Sequence, residues 1–446
     1  MKPIIPLYTL LLSLVYAHQT TEQAAFASVQ DPIDISNEPW TSKYGLQHDL
    51  GFTGPLSFSH LPYARCLQDA SNKFDIAILG FPFDTTTSYR PGARFGPAGI
   101  RHGSRRQSER GYTVTWGTSP YDLGATMMDC GDAPLSGYDN AKAIDQMEAA
   151  YSTLLMRPVS GGVAGRERKA YTARLANDDK EHPRIITLGG DHTIVLPILR
   201  SLNKVYGPVS VGSRSSLCMS QNAHREHLNA YQVIHFDAHL DTWAPRGTTA
   251  QERITHGSFF AVAAEEHLIR NTSVHAGIRC KMIDIGDVEH DDTVGFQIVS
   301  TDDIDDYGID KVIKAIRTRI GSSPVYLSLD IDVVDPGLAP ATGTPEAGGW
   351  TTREVKRILR GLSGLNFVCV FIQPPFHHHH SLSLAHTPIS FDTCRGADIV
   401  EVAPAYDHAD ITSIAAADIV YDFLTMLQTE TPPPPHDSPL FRDLDD

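Results

Sequence analysis

The amino-acid sequence predicts an α/β fold in which helices cover both faces of one parallel β-sheet. Apolar runs of strand length recur along the chain, at Asp75–Gly80, Arg184–Gly189, Val233–Phe236, Pro324–Leu329 and Ile399–Val402. Amphipathic stretches of helix length, such as Asn140–Leu155 and Thr352–Leu362, lie between these runs. Strands that are apolar at nearly every position and alternate with helices are typical of a parallel sheet buried on both faces. We therefore expect a single three-layer domain whose functional residues lie beyond the C-terminal strand ends.

The chain begins with a segment that has the features of a secretory signal peptide. Lys2 supplies a positive charge, Ile4–Tyr16 is a short apolar run, and cleavage is predicted after Ala17. The apolar run is shorter than the roughly 20 residues that cross a bilayer. We expect residues 1–17 to be removed and the protein to be secreted. An uncleaved anchor and a misplaced start codon are the alternatives.

Two further stretches lie outside the predicted domain, which covers residues 61–428. Residues 18–60 are polar and lack a regular hydrophobic period, so we expect a loosely ordered segment there. Residues 429–446 are rich in proline and acidic side chains and cannot bury a core, which predicts a disordered tail.

Composition limits the partners of the protein. The chain has 446 residues, and 37 basic against 53 acidic side chains give a net charge of −16. Negative charge repels nucleic acid and anionic membranes, whereas it can concentrate a cationic substrate. We expect a small cationic partner and neither nucleic acid nor membrane.

The cysteines and one sequon carry weaker signals. The six cysteines show no paired spacing, so the sequence predicts no disulfide framework, although secretion would permit disulfides. Asn271-Thr272-Ser273 is a glycosylation sequon whose occupancy the sequence leaves open.

Three polar motifs follow predicted strands and form the candidate site. They are Gly189-Gly190-Asp191-His192, Asp237-Ala238-His239-Leu240-Asp241 and Ser328-Leu329-Asp330-Ile331-Asp332-Val333-Val334-Asp335-Pro336. Alternate residues of an extended strand face the same side, so the acidic and histidine side chains of each motif can converge. Four carboxylates in one cavity repel each other unless cations balance them. Carboxylate and imidazole ligands without thiolate suit manganese or a similar metal. The predicted ligands are His192, Asp237, His239, Asp241, Asp330 and Asp332.

These motifs resemble the ureohydrolase family, which contains arginase and agmatinase. Further shared segments are Ser88–Pro97, Thr255–Gly257, His275–Arg279, Thr342–Gly349 and Glu401–Asp407. The Pro-Gly-Ala-Arg-Phe-Gly-Pro loop and the glutamate of Gly-Thr-Pro-Glu favour the agmatinase branch. The resemblance implies an arginase-like fold and a homo-oligomer of three or six subunits.

The resemblance also implies a division of roles around two Mn²⁺ ions per subunit. His192, Asp237, Asp241 and Asp330 would hold one ion, and Asp237, His239, Asp330 and Asp332 the other. A water that bridges two metals has a lowered pKa and can supply hydroxide at neutral pH. The implied catalytic residues are Asp241 as a proton relay, His256 as the proton shuttle and Glu401 as the acceptor for the guanidinium group.

Two other polar residues of the motifs lie outside the predicted ligand and catalytic sets. Asp191 is expected to support the site or form a turn rather than bind metal. The part of Glu346 stays open between a loop cap and a substrate contact.

The expected reaction is hydrolysis of agmatine to putrescine and urea. Guanidinobutyrate, guanidinopropionate and arginine are alternative substrates, because the metal motifs are common to all these enzymes. The distantly related deacetylases use one metal, whereas six ligands favour two. An inactive protein with the same fold is a further alternative.

The last alternative arises from two segments that interrupt predicted strands. Residues 211–232 precede the strand that leads to Asp237, and residues 369–395 precede the strand that leads to Glu401. Long polar segments without regular structure are uncommon inside a compact domain. We interpret both as translated introns, with surface loops as the alternative, and do not assign His377–His380 to a metal site.

Overall fold

A computed structural model describes residues 50, 53–107, 111–161, 176–178, 180–207, 231–321, 325–365, 396–429 and 431–434. Its strands are β1 (Ile76–Gly80), β2 (Met127–Asp132), β3 (Arg184–Leu188), β4 (Gln232–Phe236), β5 (Ser273–Ile278), β6 (Phe296–Ser300), β7 (Val325–Asp330) and β8 (Gly396–Val400). They form one sheet in the order β2-β1-β3-β8-β7-β4-β5-β6. Every neighbouring pair is parallel, so the C-terminal ends of all strands lie along the same edge.

The two faces of the sheet pack into two separate hydrophobic cores. In β1, Ile76 and Ile78 belong to one core, whereas Ala77 and Leu79 belong to the other. This alternation follows from the two-residue period of a strand. All residues of β1, β3, β4, β5, β7 and β8 are buried, as a parallel sheet with two covered faces requires.

Helices supply the outer layers. They are α1 (Gly96–Gly103), α2 (Asn140–Leu155), α3 (Val195–Tyr206), α4 (Ala250–Arg253), α5 (Phe259–Glu265), α6 (Ile285–Val294), α7 (Asp303–Tyr307), α8 (Ile309–Ile320), α9 (Thr352–Leu362) and α10 (Ile411–Met426). Buried side chains of α8, α9 and α10 enter the first core, and those of α2, α3 and α5 enter the second. The predicted three-layer α/β fold is confirmed.

The two helices predicted from sequence begin and end at the predicted residues. At the start of α2, the Asp139 carboxylate accepts a hydrogen bond from the backbone N–H of Lys142 at 3.1 Å. At the start of α9, Thr351 and Glu354 form a capping box. Each cap satisfies backbone N–H groups that the first turn of a helix leaves without a partner.

The strand prediction is wrong at one end and incomplete at the sheet edges. The predicted run Ile399–Val402 extends too far, because β8 ends at Val400 and Glu401 has a φ of 62°. The edge strands β2 and β6 were not predicted as strands. Only Phe296 of β6 is buried, so this strand lacks the continuous apolar run that marks the central ones.

The packed chain starts earlier than predicted and carries a disulfide that the sequence did not indicate. Phe58 is fully buried, and its backbone N–H donates to Asp129 Oδ2 at 2.7 Å, so Ser57–His60 belong to the domain. Cys66 and Cys130 form a disulfide that ties the segment before β1 to β2. Among the described residues Cys280 is the free cysteine.

Several predictions lie outside the described residues. They concern the signal peptide at 1–17, the segment 369–395 and the end of the tail at 435–446. Of the segment 211–232, only its last two residues are described: Gln232 opens β4, and Tyr231 forms a bridge to Ile269. The suspected segment therefore ends at residue 230 at the latest. No helix in the described part combines the length and apolarity needed to cross a bilayer.

Candidate metal centre

The candidate site lies at the C-terminal ends of the four central strands, β3, β8, β7 and β4. His192 opens a short 3-10 turn after β3, Asp237 follows β4, Asp330 ends β7 and Glu401 follows β8. Ligand sites of open α/β sheets lie in the crevice beyond such strand ends. The six predicted ligands are brought together here, and all are buried except His239, which is partly exposed.

One group of side chains surrounds His192. Its Nδ1 lies 3.1 Å from Asp237 Oδ2, 3.1 Å from Asp241 Oδ2 and 3.5 Å from Asp330 Oδ2. A second group surrounds His239, whose Nδ1 lies 3.2 Å from Asp237 Oδ1 and 3.0 Å from Asp332 Oδ2. The two oxygens of Asp237 thus face different groups, which is the arrangement of a carboxylate that bridges two cations.

The most compact donor sets differ from the predicted ligand sets in two residues, His235 and Asp330. His192, His235, Asp237 and Asp241 form one set, and Asp237, His239 and Asp332 form the other, with ligand atoms within 4.8 Å of one another in each. His235 was not predicted. Asp330, which was predicted as a ligand of both ions, belongs to neither compact set, although its Oδ2 lies 3.5 Å from His192 Nδ1.

The buried carboxylates of the cluster repel one another, so positive charge would stabilise their ionised forms. Burial, together with Asp332 and Asp237, raises the pKa of Asp330 well above its usual range. Burial and Asp237 raise the pKa of Asp332 to about 6. Burial lowers the pKa of His192, but three carboxylates outweigh it and raise that pKa well above its ordinary value.

Several buried atoms in the cluster also lack a hydrogen-bond partner. They include His192 Nδ1, His235 Nε2 and Asp237 Oδ2. Buried polar atoms without partners are costly. Because all three are lone-pair donors that converge, the residues present fit divalent cations.

A second layer of residues orients His192. Asp398, in β8, accepts hydrogen bonds from Tyr326 Oη at 2.5 Å and from Ser328 Oγ at 2.9 Å. Because Ser328 donates its hydrogen to Asp398, it accepts from His192 Nε2 at 2.7 Å. In the neutral ring this leaves the lone pair on Nδ1, which faces the carboxylates. Asp398 was not predicted as a site residue, although a carboxylate inside a buried strand is the signal that could have identified it.

Glu401 has one carboxylate oxygen held by the protein and one left free. Oε1 accepts the backbone N–H of His192 at 3.0 Å and lies 3.4 Å from His256 Nδ1. Oε2 is buried without a partner. Glu401 and Asp241 adopt φ values of 62° and 54°, a backbone region that costs energy for side chains other than glycine and occurs often at functional sites.

His256 lies beside Glu401, outside both donor sets. Its Nε2 is 2.9 Å from Ser88 Oγ. Burial lowers the pKa of His256, but Glu401, Asp241 and Asp191 outweigh it and raise that pKa to about 9. A pKa in this range favours the protonated ring at neutral pH, so His256 can act as a proton donor.

The remaining candidates take supporting positions. Asp191 accepts hydrogen bonds from the Thr86 backbone N–H at 3.0 Å and from Thr86 Oγ1 at 2.8 Å, as expected of a residue that shapes the turn. Glu346 Oε1 is 3.8 Å from His239 Nε2, so its carboxylate faces the second donor set.

A central parallel sheet with this donor set beyond its middle strands defines the class of arginase-fold ureohydrolases. The chain belongs to the arginase family, whose family model matches residues 74–386 and 376–426. Within that family it is an agmatinase-like ureohydrolase, because its relatives include proteins named agmatinase.

The chain is 47% identical over 388 residues to a Schizosaccharomyces pombe protein named "Putative agmatinase 1", covering 85% of this chain and 84% of the relative. It is 33% identical over 371 residues to the agmatinase of Proteus mirabilis, covering 82% and 92%. The solved structure of proclavaminate amidino hydrolase from Streptomyces clavuligerus matches with a TM-score of 0.62 and 28% identity, over 85% of this chain and 99% of that one. The resemblance inferred from the motifs is confirmed.

Proposed function

We propose that the protein hydrolyses agmatine to putrescine and urea with two Mn²⁺ ions per subunit. The observation that carries the proposal is the pair of buried donor sets that share Asp237, next to the free Oε2 of Glu401. Carboxylate and imidazole donors without thiolate suit Mn²⁺. The agmatinase names of the relatives favour agmatine over other guanidino compounds.

The predicted ligands would hold the ions, and Glu401, His256 and the ligand Asp241 act on the substrate. Bound in this site, the ions lower the pKa of water enough to make hydroxide available at neutral pH. Glu401 Oε2 accepts hydrogen bonds from the guanidinium nitrogens, while the His192 N–H fixes Oε1. Asp241 relays a proton, and His256 delivers it to the leaving amine. The catalytic step thus replaces one C–N bond by a C–O bond, and the proton leaves on putrescine.

Guanidinobutyrate, guanidinopropionate and arginine are the competing substrates, since the donor sets serve any guanidinium group. The proposal is tested by urea release from each of these and from agmatine, with the protein stripped by chelation and then reloaded with Mn²⁺. Agmatine should give the highest kcat/KM, chelation should abolish release, and elemental analysis should find two Mn²⁺ per chain. One tightly held zinc in the active protein would contradict the metal assignment. A higher kcat/KM on another guanidino compound would contradict the assignment of agmatine as the substrate.

We also propose that the protein is secreted and assembles as a trimer or hexamer. The disulfide between Cys66 and Cys130 supports secretion, because disulfides persist in oxidising compartments. Mass spectrometry of protein from its natural source should find a mature N-terminus near His18 and a cross-linked peptide containing both cysteines. An intact Met1 or two free thiols would contradict export.

A further inference from the structure

A buried chain of side chains runs from helix α6 to the candidate metal centre. Asp291 Oδ1 lies 2.9 Å from His275 Nε2, and His275 Nδ1 lies 2.7 Å from His235 Nδ1. At the far end, His235 Nε2 lies 2.9 Å from Asp237 Oδ2. All four side chains are at most 2% exposed. The sequence motifs predicted no catalytic or metal-binding role for His235, His275 or Asp291.

The direction of the hydrogen bonds follows from the Asp291 carboxylate, which ends the chain on the side away from the metal centre. An ionised carboxylate only accepts, so His275 Nε2 carries a hydrogen and donates it to Asp291. The neutral His275 ring then has a lone pair on Nδ1, which accepts from His235 Nδ1. The neutral His235 ring is left with a lone pair on Nε2, which faces Asp237 Oδ2. Two acceptors then stand 2.9 Å apart, and neither has a hydrogen-bond partner.

Other contacts hold this chain in place. Asp291 Oδ1 also accepts from Thr242 Oγ1 at 2.6 Å, and Thr242 follows Asp241 directly in the chain. The His275 ring stacks on Phe296 with centroids 4.0 Å apart and planes 10° apart. Phe260 packs edge-on against His235 at 4.9 Å. These contacts fix the planes of both histidine rings.

The same hydrogen-bond polarity occurs at His192. There Asp398 acts through Ser328 and leaves the Nδ1 lone pair of His192 facing Asp237 Oδ2 at 3.1 Å. His192 and His235 therefore direct two imidazole lone pairs at the same carboxylate oxygen, with their ring centroids 4.8 Å apart. A cation between these three atoms would satisfy all of them.

We propose that Asp291, acting through His275, is a positioning residue that fixes the His235 tautomer and so adds the Nε2 lone pair to the first donor set. The inference rests on the proposed metal centre. His235 is then a further residue that can bind the metal. Asp291 also positions the loop that carries Asp241, because its carboxylate accepts a hydrogen bond from Thr242.

The test compares two substitutions of His275 in the full-length protein. In His275→Gln, the amide oxygen accepts from His235 and the amide N–H donates to Asp291, which preserves the direction of the chain. His275→Leu removes both contacts, so that His235 is free to protonate Nε2 and donate to Asp237. Phe296→Leu is the control, since it disturbs the packing of the same ring without removing a hydrogen bond. The measurements are Mn²⁺ affinity by equilibrium dialysis, nitrogen couplings in the electron paramagnetic resonance of the singly loaded protein, and the melting temperature without metal.

We expect His275→Leu to weaken Mn²⁺ binding about 10–100-fold, as loss of a residue that orients a ligand does. His275→Gln and Phe296→Leu should bind close to the wild-type level, and the leucine variant should lose one nitrogen coupling. Unchanged affinity in His275→Leu would overturn the inference, and so would equal loss in both His275 variants. If the wild type binds two Mn²⁺ with this pattern but releases no urea, the positioning holds and the proposed reaction fails. If it binds no metal, both fail.

Discussion

At the scale of single residues, we propose that Glu401 connects the protein to the guanidinium group of the substrate. One of its oxygens accepts a backbone N–H within the protein, and the other has no partner. Glu401→Gln removes the charge and keeps the shape. Because a charge-assisted hydrogen bond contributes about 1.5–3 kcal/mol, KM for agmatine should rise by a corresponding factor. The bound Mn²⁺ should remain at two per chain by elemental analysis, and loss of metal would instead make Glu401 a ligand.

His256 gives a prediction on turnover and its pH dependence. Its pKa is raised to about 9, so the ring carries its extra proton at neutral pH and loses it as the pH rises. A step that uses this proton should therefore slow on the alkaline side of the kcat profile. His256→Asn should lower kcat by roughly 10²–10⁴, the usual worth of a positioned acid or base.

The control for this variant is its metal content, which should stay at the wild-type value because His256 belongs to neither donor set. The alkaline limb of the kcat profile should disappear in His256→Asn. Full turnover, or an alkaline limb that remains, would show that another group delivers the proton.

The predicted site residues were accessible from sequence because they follow strands in short motifs. The spacing of Asp237, His239 and Asp241 predicted that they converge, although they do so in the loop after β4 and not as alternate residues of a strand. His235 was missed because it lies inside an apolar run that was interpreted as core, and Asp398 was missed because β8 begins three residues before the predicted run. Each is a polar side chain at a fully buried strand position. The role of such a side chain depends on the residue beside it in the neighbouring strand, which the sequence does not reveal.

At the scale of elements, helix α1 is joined to edge strand β2 by a buried ion pair. Arg101 donates from Nε to Asp129 Oδ2 at 2.8 Å, and from Nη1 to Asp132 Oδ1 at 2.6 Å. Arg101→Met leaves Asp129 charged and buried, which costs about 3–5 kcal/mol when a buried pair loses one partner. The free energy of unfolding in guanidinium chloride should fall by this amount. The exposed Arg106→Met is the control, and equal stability of both variants would contradict the prediction.

The central strands could be predicted because burial on both faces makes them apolar at every position. The edge strands β2 and β6 could not be predicted in the same way, since their outer sides face solvent or loops and their composition is mixed. The disulfide between Cys66 and Cys130 was missed for a related reason. The two cysteines are 64 residues apart in sequence and meet only when β2 pairs with β1.

At the scale of the whole molecule, we propose that residues 211–230 and 369–395 are translated introns. The family model matches the chain in two pieces, 74–386 and 376–426, which divide inside the second of these segments. Both segments precede central strands, β4 and β8, that place site residues. Deleting both should increase the soluble yield and the rate of urea release per mole of chain. Mature transcripts that contain both segments, with full activity of the chain as written, would contradict the prediction.

The position of β8 has a consequence for how the protein is made. It is the last strand in the chain, yet it lies between β3 and β7 in the middle of the sheet. A nascent chain that has not reached Gly396 therefore has two half-sheets without the strand that joins them. His192 belongs to one half, and Asp237 and Asp330 belong to the other. The ribosome must deliver nearly the whole polypeptide before His192 can meet the donor atoms that follow β4 and β7. If the chain is exported unfolded, as the proposed secretion requires, the proposed first donor set would take its metal ion only after export.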